Sequence, residues 1–270
     1  MLDCECMENE PLFRLSVFLI LFVVFAAAET IAPKRLRTCP RKNRWLTNLS
    51  ITVLNTLMLR TMAIGLPLLA VGAAIDAGKN GLGVFNWLAW PGWVELILCL
   101  LILDFAIWLQ HLITHKVPIL WRLHRVHHAD RDMDVTTAVR FHPVEIALSM
   151  ILKIGLIYLL GASALAVILF EILLNGTALF NHSNLKLPLA VDAVVRRVLV
   201  TPDMHRVHHS VFRTEHDSNY GFALSNWDRM LGTYIAQPRD GHEQMSVGLE
   251  WQDDRPTKLG WSLVLPFRRR

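Results

Sequence analysis

The pentapeptide HRVHH occupies residues 124–128 and recurs unchanged at residues 205–209. Just before the first copy, His111 and His115 stand four residues apart. Offsets of three and four residues bring side chains to one face of a helix, so each group can present its imidazoles together. Because neutral imidazole is the commonest metal ligand in proteins, the pattern predicts helices that hold a metal site.

The number of histidines predicts two metal ions rather than one, since it exceeds what a single ion accepts in tetrahedral to octahedral geometry. The predicted ligands are His111, His115, His124, His127, His128, His205, His208 and His209. His182 is an open choice between a ligand and a residue that supports one, and His142 is expected rather to support a ligand. The isolated residues His216 and His242 are expected at the surface.

Three carboxylates are candidates for a catalytic role in which they orient the histidine rings. Asp104 lies two helical turns before the first histidine pair, in an apolar segment where an ionised group is costly without a partner. Asp203 lies beside the second HRVHH copy, and Asp228 follows it. Asp130 and Glu145 are weaker candidates for the same role. For Asp104, a hydrogen bond that packs helices together is the alternative.

The composition predicts an all-α, multi-pass membrane protein. Of the 270 residues, 53% are hydrophobic and 19% are charged, and the mean hydropathy is +0.36. Apolar segments of about 20 residues can cross a hydrocarbon core as helices. Three such spans are predicted at Leu12–Ala28, Ile51–Ile75 and Trp93–Leu112. The alanines that end the first span also fit a cleaved signal peptide, but acidic residues before it favour an uncleaved anchor.

The fourth apolar segment, Val144–Leu174, decides on which side of the membrane the histidines meet. It forms either one long tilted span or a hairpin that turns at Gly161. The basic stretch from Lys34 to Arg44 places the end of the first span in the cytoplasm, and two further spans return the chain to that side. A single crossing afterwards would separate the two HRVHH copies. We therefore predict the hairpin, which brings all the histidines to the cytoplasmic face.

The sequence argues against other partners and redox groups. The net charge is +4, and the basic clusters flank apolar segments, which is typical of membrane topology and anionic lipid contacts rather than of nucleic acid binding. The four cysteines, Cys4, Cys6, Cys39 and Cys99, lack zinc-ribbon or disulfide-framework spacing. No dinucleotide fingerprint or haem-attachment motif is present, so a redox reaction would need an external electron donor.

The motifs between residues 104 and 234 resemble those of the fatty acid hydroxylase and sterol desaturase superfamily of membrane-bound, non-haem di-iron enzymes. The resemblance covers nearly half of the chain. Besides the two HRVHH copies, it rests on Asp104-x3-Trp108-x2-His111-x3-His115, Trp121, His182-Ser183-Asn184, Thr201-Pro202-Asp203-Met204, Asp217-x-Asn219-Tyr220-Gly221 and Trp227-Asp228-Arg229-x2-Gly232-Thr233. Together these motifs are specific, although any one alone would not be.

The resemblance implies two iron ions, held by the histidines named above with His182 among them, under a cap of cytosolic helices over four membrane helices. Some members carry a further histidine where this chain has Ala178, which implies that water or a carboxylate completes one metal. Zinc is an expected contaminant of such a site after purification.

The implied reaction is O2-dependent hydroxylation or desaturation of a C–H bond in a fatty acyl or sterol-like lipid. Electrons would come from a ferredoxin or from a cytochrome and its reductase. Alternatives are a histidine-ligated zinc hydrolase, and a metal transporter or membrane cytochrome without enzymatic activity. We expect the bacterial inner membrane rather than the endoplasmic reticulum. The expected regions are a membrane anchor at residues 1–99, a catalytic domain at 100–235 and a cytosolic tail at 236–270.

Overall fold

The protein is built from helices in a computed structural model that describes residues 9–65, 69–88 and 90–268. Within those ranges no β-strand forms, and extended segments pair only through isolated bridges. This confirms the predicted all-α class. Cys4 and Cys6 lie outside the described residues.

The α-helices of the described ranges are α1 (Glu10–Ile31), α2 (Arg41–Gly65), α3 (Ala70–Lys79), α4 (Val84–Trp87), α5 (Gly92–Lys116), α6 (Pro118–His128), α7 (Pro143–Leu160), α8 (Ala164–His182), α9 (Leu189–Val195), α10 (Pro202–His208), α11 (Arg213–His216), α12 (Asn226–Met230), α13 (Gly241–Gln244) and α14 (Leu259–Val264). Short 3-10 helices cover Val135–Val139, Arg255–Thr257 and Leu265–Phe267.

Four of the described helices are long and apolar enough to cross a membrane. They are α1, α5, α7 and α8, with 22, 25, 18 and 19 residues. Helix α1 contains the predicted first span and α5 the predicted third, so both predictions are confirmed. Large aliphatic side chains such as Ile20 and Val23 are mostly exposed, as expected of residues that face lipid. The protein is therefore a multi-pass membrane protein.

The predicted second span, Ile51–Ile75, is wrong as a single helix. The chain forms α2 and then the ten-residue α3, while residues 66–68 between them lie outside the described residues. Helix α2 differs from the four spans because it carries polar residues that bind inside the protein. Asn48, for example, is buried and donates to both Asp130 and Thr136.

Helices α2 and α3 together still follow α7 from one end to the other. Near the start of α7, Asn55 Nδ2 donates to the Phe141 carbonyl at 3.0 Å. Near its end, the Tyr158 hydroxyl donates to Asp76 at 2.8 Å. The chain therefore reaches the far end of the bundle before α5 begins, as the topology argument requires.

The predicted hairpin within Val144–Leu174 is confirmed, with its turn at Gly161. This glycine caps α7 in the left-handed conformation, with φ of 68°. A Cβ there would lie 2.5 Å from the Leu82 carbonyl oxygen, so only glycine fits. The arms are longer than the predicted length of about 15 residues, because α8 continues to His182. Each arm is long enough to cross a membrane, and the chain returns to the side it left.

The histidine-bearing segments meet at one end of this bundle. The end of α5, the start of α7 and the end of α8 lie together there, joined by α6 and by the 3-10 helix that follows it. Helix α10 packs on α8, and α11 packs on α10. These short helices form the predicted helical cap over the membrane helices.

Segments from both ends of the chain attach to the cap through Arg140. Its guanidinium donates to Asn48 in α2 at 2.6 Å and to the Pro256 carbonyl at 2.9 Å. The division into residues 1–99, 100–235 and 236–270 remains a prediction, and these hydrogen bonds cross both of its boundaries.

Candidate metal centre

The histidines of the three sequence motifs, together with His182, converge into two neighbouring groups at the capped end of the bundle. In each group, the nitrogens that could bind one ion lie within 4.8 Å of one another. The five-histidine group consists of His111, His115, His124, His128 and His208, and the four-histidine group of His127, His182, His205 and His209.

Each HRVHH copy divides its imidazoles between the two groups in a complementary way. The first copy gives its first and last histidines to the five-histidine group and its middle one to the four-histidine group. The second copy does the reverse. Consecutive residues of a helix point about 100° apart, so the adjacent histidines at the end of each motif face in different directions and join different groups. The repeated motif therefore links the two groups.

The remaining histidines of the two groups lie at the ends of membrane helices. His111 and His115 are one turn apart in the last turns of α5 and share its inner face. His182 is the last residue of α8, and the close packing of α8 on α10 brings it to the second HRVHH copy. The 3.1 Å separation of the Nε2 atoms of His182 and His205 shows how closely the two helices meet.

Burial keeps the cap histidines in the neutral form that binds metals. No ring in either group is more than 4% exposed. Desolvation is the largest cause that lowers the pKa of each cap imidazole well below its usual value, and neighbouring imidazoles add to the effect. The residues concerned are His127, His128, His205, His208 and His209. Their lone pairs are therefore available at neutral pH.

Backbone carbonyls fix which nitrogen of three rings carries the proton. The Nδ1 atom lies 2.8 Å from the Tyr220 carbonyl in His111, 2.8 Å from the Ala178 carbonyl in His182, and 2.6 Å from the Ser218 carbonyl in His208. A carbonyl can only accept, so Nδ1 must be the N–H donor in each ring. Each Nε2 is left with an unprotonated lone pair.

Facing lone pairs show that the five-histidine group fits a metal ion. The Nε2 atoms of His111 and His124 are 3.0 Å apart. His124 Nδ1 lies 2.6 Å from a carboxylate oxygen of Glu145, so its proton also sits on Nδ1. Neither Nε2 can then donate to the other, and a cation bound by both would remove the repulsion.

Other ring nitrogens find no hydrogen-bond partner within the described part of the chain. They include both nitrogens of His115, His128 and His209, and Nε2 of His208. Buried polar atoms are nearly always satisfied, so such a concentration indicates a ligand. Ligands on opposite sides of an ion bound at about 2.1 Å lie about 4.2 Å apart, which agrees with the compactness of both groups. The donor set therefore fits two ions.

Glu145 orients a ring directly. It lies in the first turn of α7, and its contact with His124 joins that helix to the first HRVHH copy. The sequence offered only a weak signal for it, since three positions after His142 is not a recognised spacing. A carboxylate behind a ligating imidazole fixes the ring and raises its basicity.

Asp228 contacts no histidine ring itself and supports His111 through the backbone of Tyr220. Its carboxylate accepts from the backbone N–H groups of Tyr220 and Gly221 at 2.9 and 2.8 Å, and from Trp108 Nε1 at 3.0 Å. It thereby holds the Tyr220 carbonyl that accepts from His111. A Cβ on Gly221 would lie 2.8 Å from the Leu224 carbonyl oxygen, so the loop needs glycine there.

Asp104 and Asp203 hydrogen-bond to other partners than the rings of either group. Asp104 accepts from Trp227 Nε1 at 2.8 Å, which is the packing alternative considered for it. Asp203 pairs with Arg206 and with Lys34, at 2.5 and 2.9 Å. Asp104 thus holds helix α12 in place, and Asp203 holds helix α10. Any catalytic role for either residue stays a prediction.

Three histidines lie outside both groups. His142 caps α7 by accepting from Val144 N, at 3.2 Å. His216 and His242 were expected at the surface, and that prediction is wrong because both are buried. The ring of His216 stacks on Trp121, and His242 lies 3.8 Å from Asp203.

A buried ion-pair network beneath the first HRVHH copy was not predicted from the sequence, which offered Asp130 only as a weaker candidate to orient a histidine ring. Arg44 donates to both oxygens of Asp130, at 2.6 and 2.8 Å, and to Asp134 at 2.7 Å. All three side chains are almost fully buried. In the sequence, Arg44 is one of the basic residues that predict topology, and its pairing with distant residues leaves no local pattern. The network ties α2 to the segment that follows His128.

Comparison with known proteins gives one family and several curated relatives. The family model described as fatty acid hydroxylase matches residues 96–233. The chain is 30% identical over 161 residues to an ornithine lipid hydroxylase of Rhizobium tropici, covering 58% of this chain and 47% of that protein. It is 30% identical over 151 residues to the alkylglycerol monooxygenase of Homo sapiens, covering 54% of this chain and 31% of that protein.

A cholesterol 25-hydroxylase of Rattus norvegicus is 28% identical over 147 residues, which cover 53% of this chain and 48% of that protein. The matched segments thus span half or less of the length of each of these relatives. No solved structure gives a significant match.

Proposed function

This chain belongs to the fatty acid hydroxylase family, and on that premise we propose that it is a membrane-bound di-iron oxygenase. Its reaction would be the hydroxylation or desaturation of a C–H bond in a lipid. The observation that carries the proposal is the convergence of nine buried imidazoles into two compact groups. The relatives named as hydroxylases and monooxygenases of lipids support the same reaction class.

The two groups would hold one ion each, with His182 as a ligand. Iron bound there would activate O2, so that in hydroxylation one oxygen atom enters the lipid and the other leaves as water, with two electrons from a donor and two protons from the solvent. All-imidazole sites suit iron, and at most five protein ligands leave room for small molecules at each ion.

The residues around the groups keep the site rigid and dry. Carbonyls of Tyr220, Ala178 and Ser218 hold three rings in one tautomer, and Glu145 holds a fourth. Phe141 stacks on His127, with ring centroids 4.3 Å apart, and covers one side of the four-histidine group. A water-excluding wall prevents side reactions of activated oxygen. These residues prepare the lone pairs before any substrate arrives.

Membrane placement supports a lipid substrate. The histidine groups lie where α5 and α8 end, so a lipid carbon can reach them from the bilayer without leaving an apolar environment. We propose that this end faces the cytoplasm of a bacterium, where a ferredoxin or cytochrome can deliver electrons. A fluorescent protein fused to the C-terminus should be protected from protease added outside intact cells, and digestion would place the site on the other face.

Two other functions, a zinc hydrolase and a metal transporter, fit the histidine groups less well. A zinc hydrolase commonly uses three protein ligands and one water, far fewer than the ligands gathered here. A metal transporter commonly binds its cargo near the bilayer midplane on broken helices, whereas these groups lie at helix ends.

The decisive measurement is iron content together with O2 consumption on lipid substrates. Purified protein, supplied with a reductase and ferredoxin, should incorporate 18O from 18O2 into one of three probes: an ornithine lipid, an alkylglycerol or cholesterol. Desaturation would appear instead as the loss of two hydrogens without label. Hydrolysis with bound zinc, or metal flux into vesicles, would overturn the proposal, whereas bound zinc alone would not.

A further inference from the structure

A groove at the capped end lies beside the point where two membrane helices end. Helix α1 ends at Ile31 and α8 at His182, and the segments that follow them pair through a bridge between Pro33 and Leu185. Because both spans end within a few residues of this bridge, the segment 33–38 lies at the level of the lipid headgroups.

The groove has the size and the charge of an anion site. Its volume is about 560 Å³, and the segments 33–38 and 243–252 form most of its walls. Three cations, Lys34, Arg35 and Arg131, line it together with one carboxylate, Glu243. Side chains of Thr38, Gln244, Ser246 and Gln252 add neutral hydrogen-bonding groups.

The positive charge of Lys34 is only partly neutralised. Its ammonium lies 2.9 Å from Asp203, but the same carboxylate also pairs with Arg206 at 2.5 Å. Arg206 is fully buried, and its Nε and Nη2 atoms have no hydrogen-bond partner in the described chain. Two cations thus share one carboxylate behind the wall of the groove, which leaves an excess of positive charge.

Neither of the other two cations forms an ion pair shorter than 4.0 Å with a carboxylate of the described residues. Arg35 donates to the main-chain oxygens of His242 and Met245, at 2.6 Å each, and these carbonyls are neutral. The Asp132 carboxylate, which also accepts from Thr38 and Cys39, lies near Arg35 and offsets part of its charge. Arg131 lies 4.0 Å from Asp254, a carboxylate whose side chain is 86% exposed, so this contact neutralises little of its charge.

Exposed apolar side chains lie in the segments that form or adjoin the Pro33–Leu185 bridge. Ile31 is 84% exposed, Leu36 is 91% exposed and Leu189 is 77% exposed. Leu36 lies within the groove lining, directly after Lys34 and Arg35 in the chain. Apolar residues that flank cations at the end of a span are typical of surfaces seated in the membrane interface, where aliphatic groups enter the acyl region and cations meet phosphates.

We propose that this groove binds the headgroup phosphate of an anionic phospholipid, recognised by Lys34, Arg35 and Arg131. The proposal goes beyond the oxygenase function, since it rests on membrane insertion and on charge and needs no metal. A bound lipid would brace the wall behind the four-histidine group, because Gly248 N donates to the His209 carbonyl at 3.0 Å and Val211 N to the Ser246 carbonyl at 3.1 Å.

The test is lipid binding by the full chain, purified in a neutral detergent and read by native mass spectrometry and thermal unfolding. The probes are phosphatidylglycerol, phosphatidylcholine with the same acyl chains, and inorganic phosphate. Phosphatidylglycerol should bind more tightly than phosphatidylcholine and raise the unfolding temperature. The variants Lys34→Gln and Arg131→Gln should each weaken it about fivefold. The matched control Arg255→Gln removes an exposed cation that pairs with Asp253, and binding should not change.

Three results would overturn the proposal. Phosphatidylglycerol binding that both groove variants leave unchanged would place the lipid elsewhere. Inorganic phosphate that stabilises the protein as much as the lipid does would show a site for the free ion. Weaker binding of an acidic electron-donor protein by Arg131→Gln, without any effect on lipid, would assign the groove to that partner. All of these experiments measure binding or unfolding rather than enzymatic turnover. They would therefore still test the lipid site if the oxygenase proposal failed.

Discussion

Glu145 lies 2.6 Å from Nδ1 of His124 and thereby joins the first turn of a membrane helix to the histidine motif of the cap. The contact determines the direction in which His124 presents its second nitrogen. That nitrogen faces His111 Nε2 at 3.0 Å, where two lone pairs meet. A single carboxylate at the start of α7 thus positions one imidazole of the five-histidine group.

The variant Glu145→Gln should bind metal about 10- to 100-fold more weakly, the usual effect of losing a carboxylate behind a ligating imidazole. The amide keeps the size of the side chain but not its charge, so the His124 ring becomes less basic. Iron retained against a graded series of chelator concentrations measures the change. The exposed Glu250→Gln serves as the control. Equal retention by the two variants would show that Glu145 has no part in ligation.

The variant His208→Ala should lose activity and metal while the protein still inserts into the membrane. His208 belongs to the five-histidine group, and its Nε2 has no partner in the described chain. His142→Ala is the matched control, because His142 lies outside both groups and caps α7. It should keep its metal and lose on the order of 1 kcal/mol of stability. Normal turnover by His208→Ala would refute the ligand assignment.

The variant Gly221→Ala should disturb the five-histidine group without touching a histidine. Its Cβ would lie 2.8 Å from both Leu224 O and Val200 Cγ2, so the loop must shift and the Tyr220 carbonyl would move away from His111. We expect a loss of about 1–3 kcal/mol in stability and a lower iron content per chain.

Gly155→Ala in α7 is the control for that loop variant, since a Cβ there meets nothing within 4 Å. Its iron content should equal that of the unmodified protein. If Gly221→Ala also kept its full iron content, the loop would not be what holds His111 in position.

The lowered pKa of His242 should make the stability of the protein depend on pH. Burial is the largest cause that lowers its pKa, from the usual 6.5 to about 4. Between these values the unfolded chain binds a proton at this residue and the folded chain does not, so the free energy of unfolding falls as the pH falls. The contribution is at most about 1.4 kcal/mol per pH unit.

Above pH 6.5 the neutral form prevails in both states, and His242 adds no pH dependence. The variant His242→Gln should therefore lose less stability than the unmodified protein between pH 6.5 and pH 4. Thermal unfolding of both proteins across this range measures the difference. Parallel curves would mean that His242 takes up its proton equally easily in both states.

The spacing of residues in the sequence was sufficient to predict which histidines come together, because that depends on helical geometry. The offsets of three and four residues within HRVHH and between His111 and His115 predicted that these histidines come together, and all of them join one of the two groups. Hydrophobic length predicted three of the membrane segments, and the need to gather the histidines on one side predicted the turn at Gly161. The Ile51–Ile75 segment was predicted wrongly as one span because hydrophobicity alone does not register that α2 ends at Gly65 or that Asn55 is buried inside the protein.

The sequence by itself determined the helical class, the membrane setting and eight of the nine histidines that gather at the site, because periodicity and hydrophobic length are local properties of the chain. Only the tertiary structure decided the place of His182, how the histidines divide between two groups and what holds each ring. The carbonyls of Tyr220 and Ser218, the carboxylate of Glu145 and the pairing of Arg44 with Asp130 join segments that are far apart in the chain. Such contacts arise from packing, and no local pattern records them.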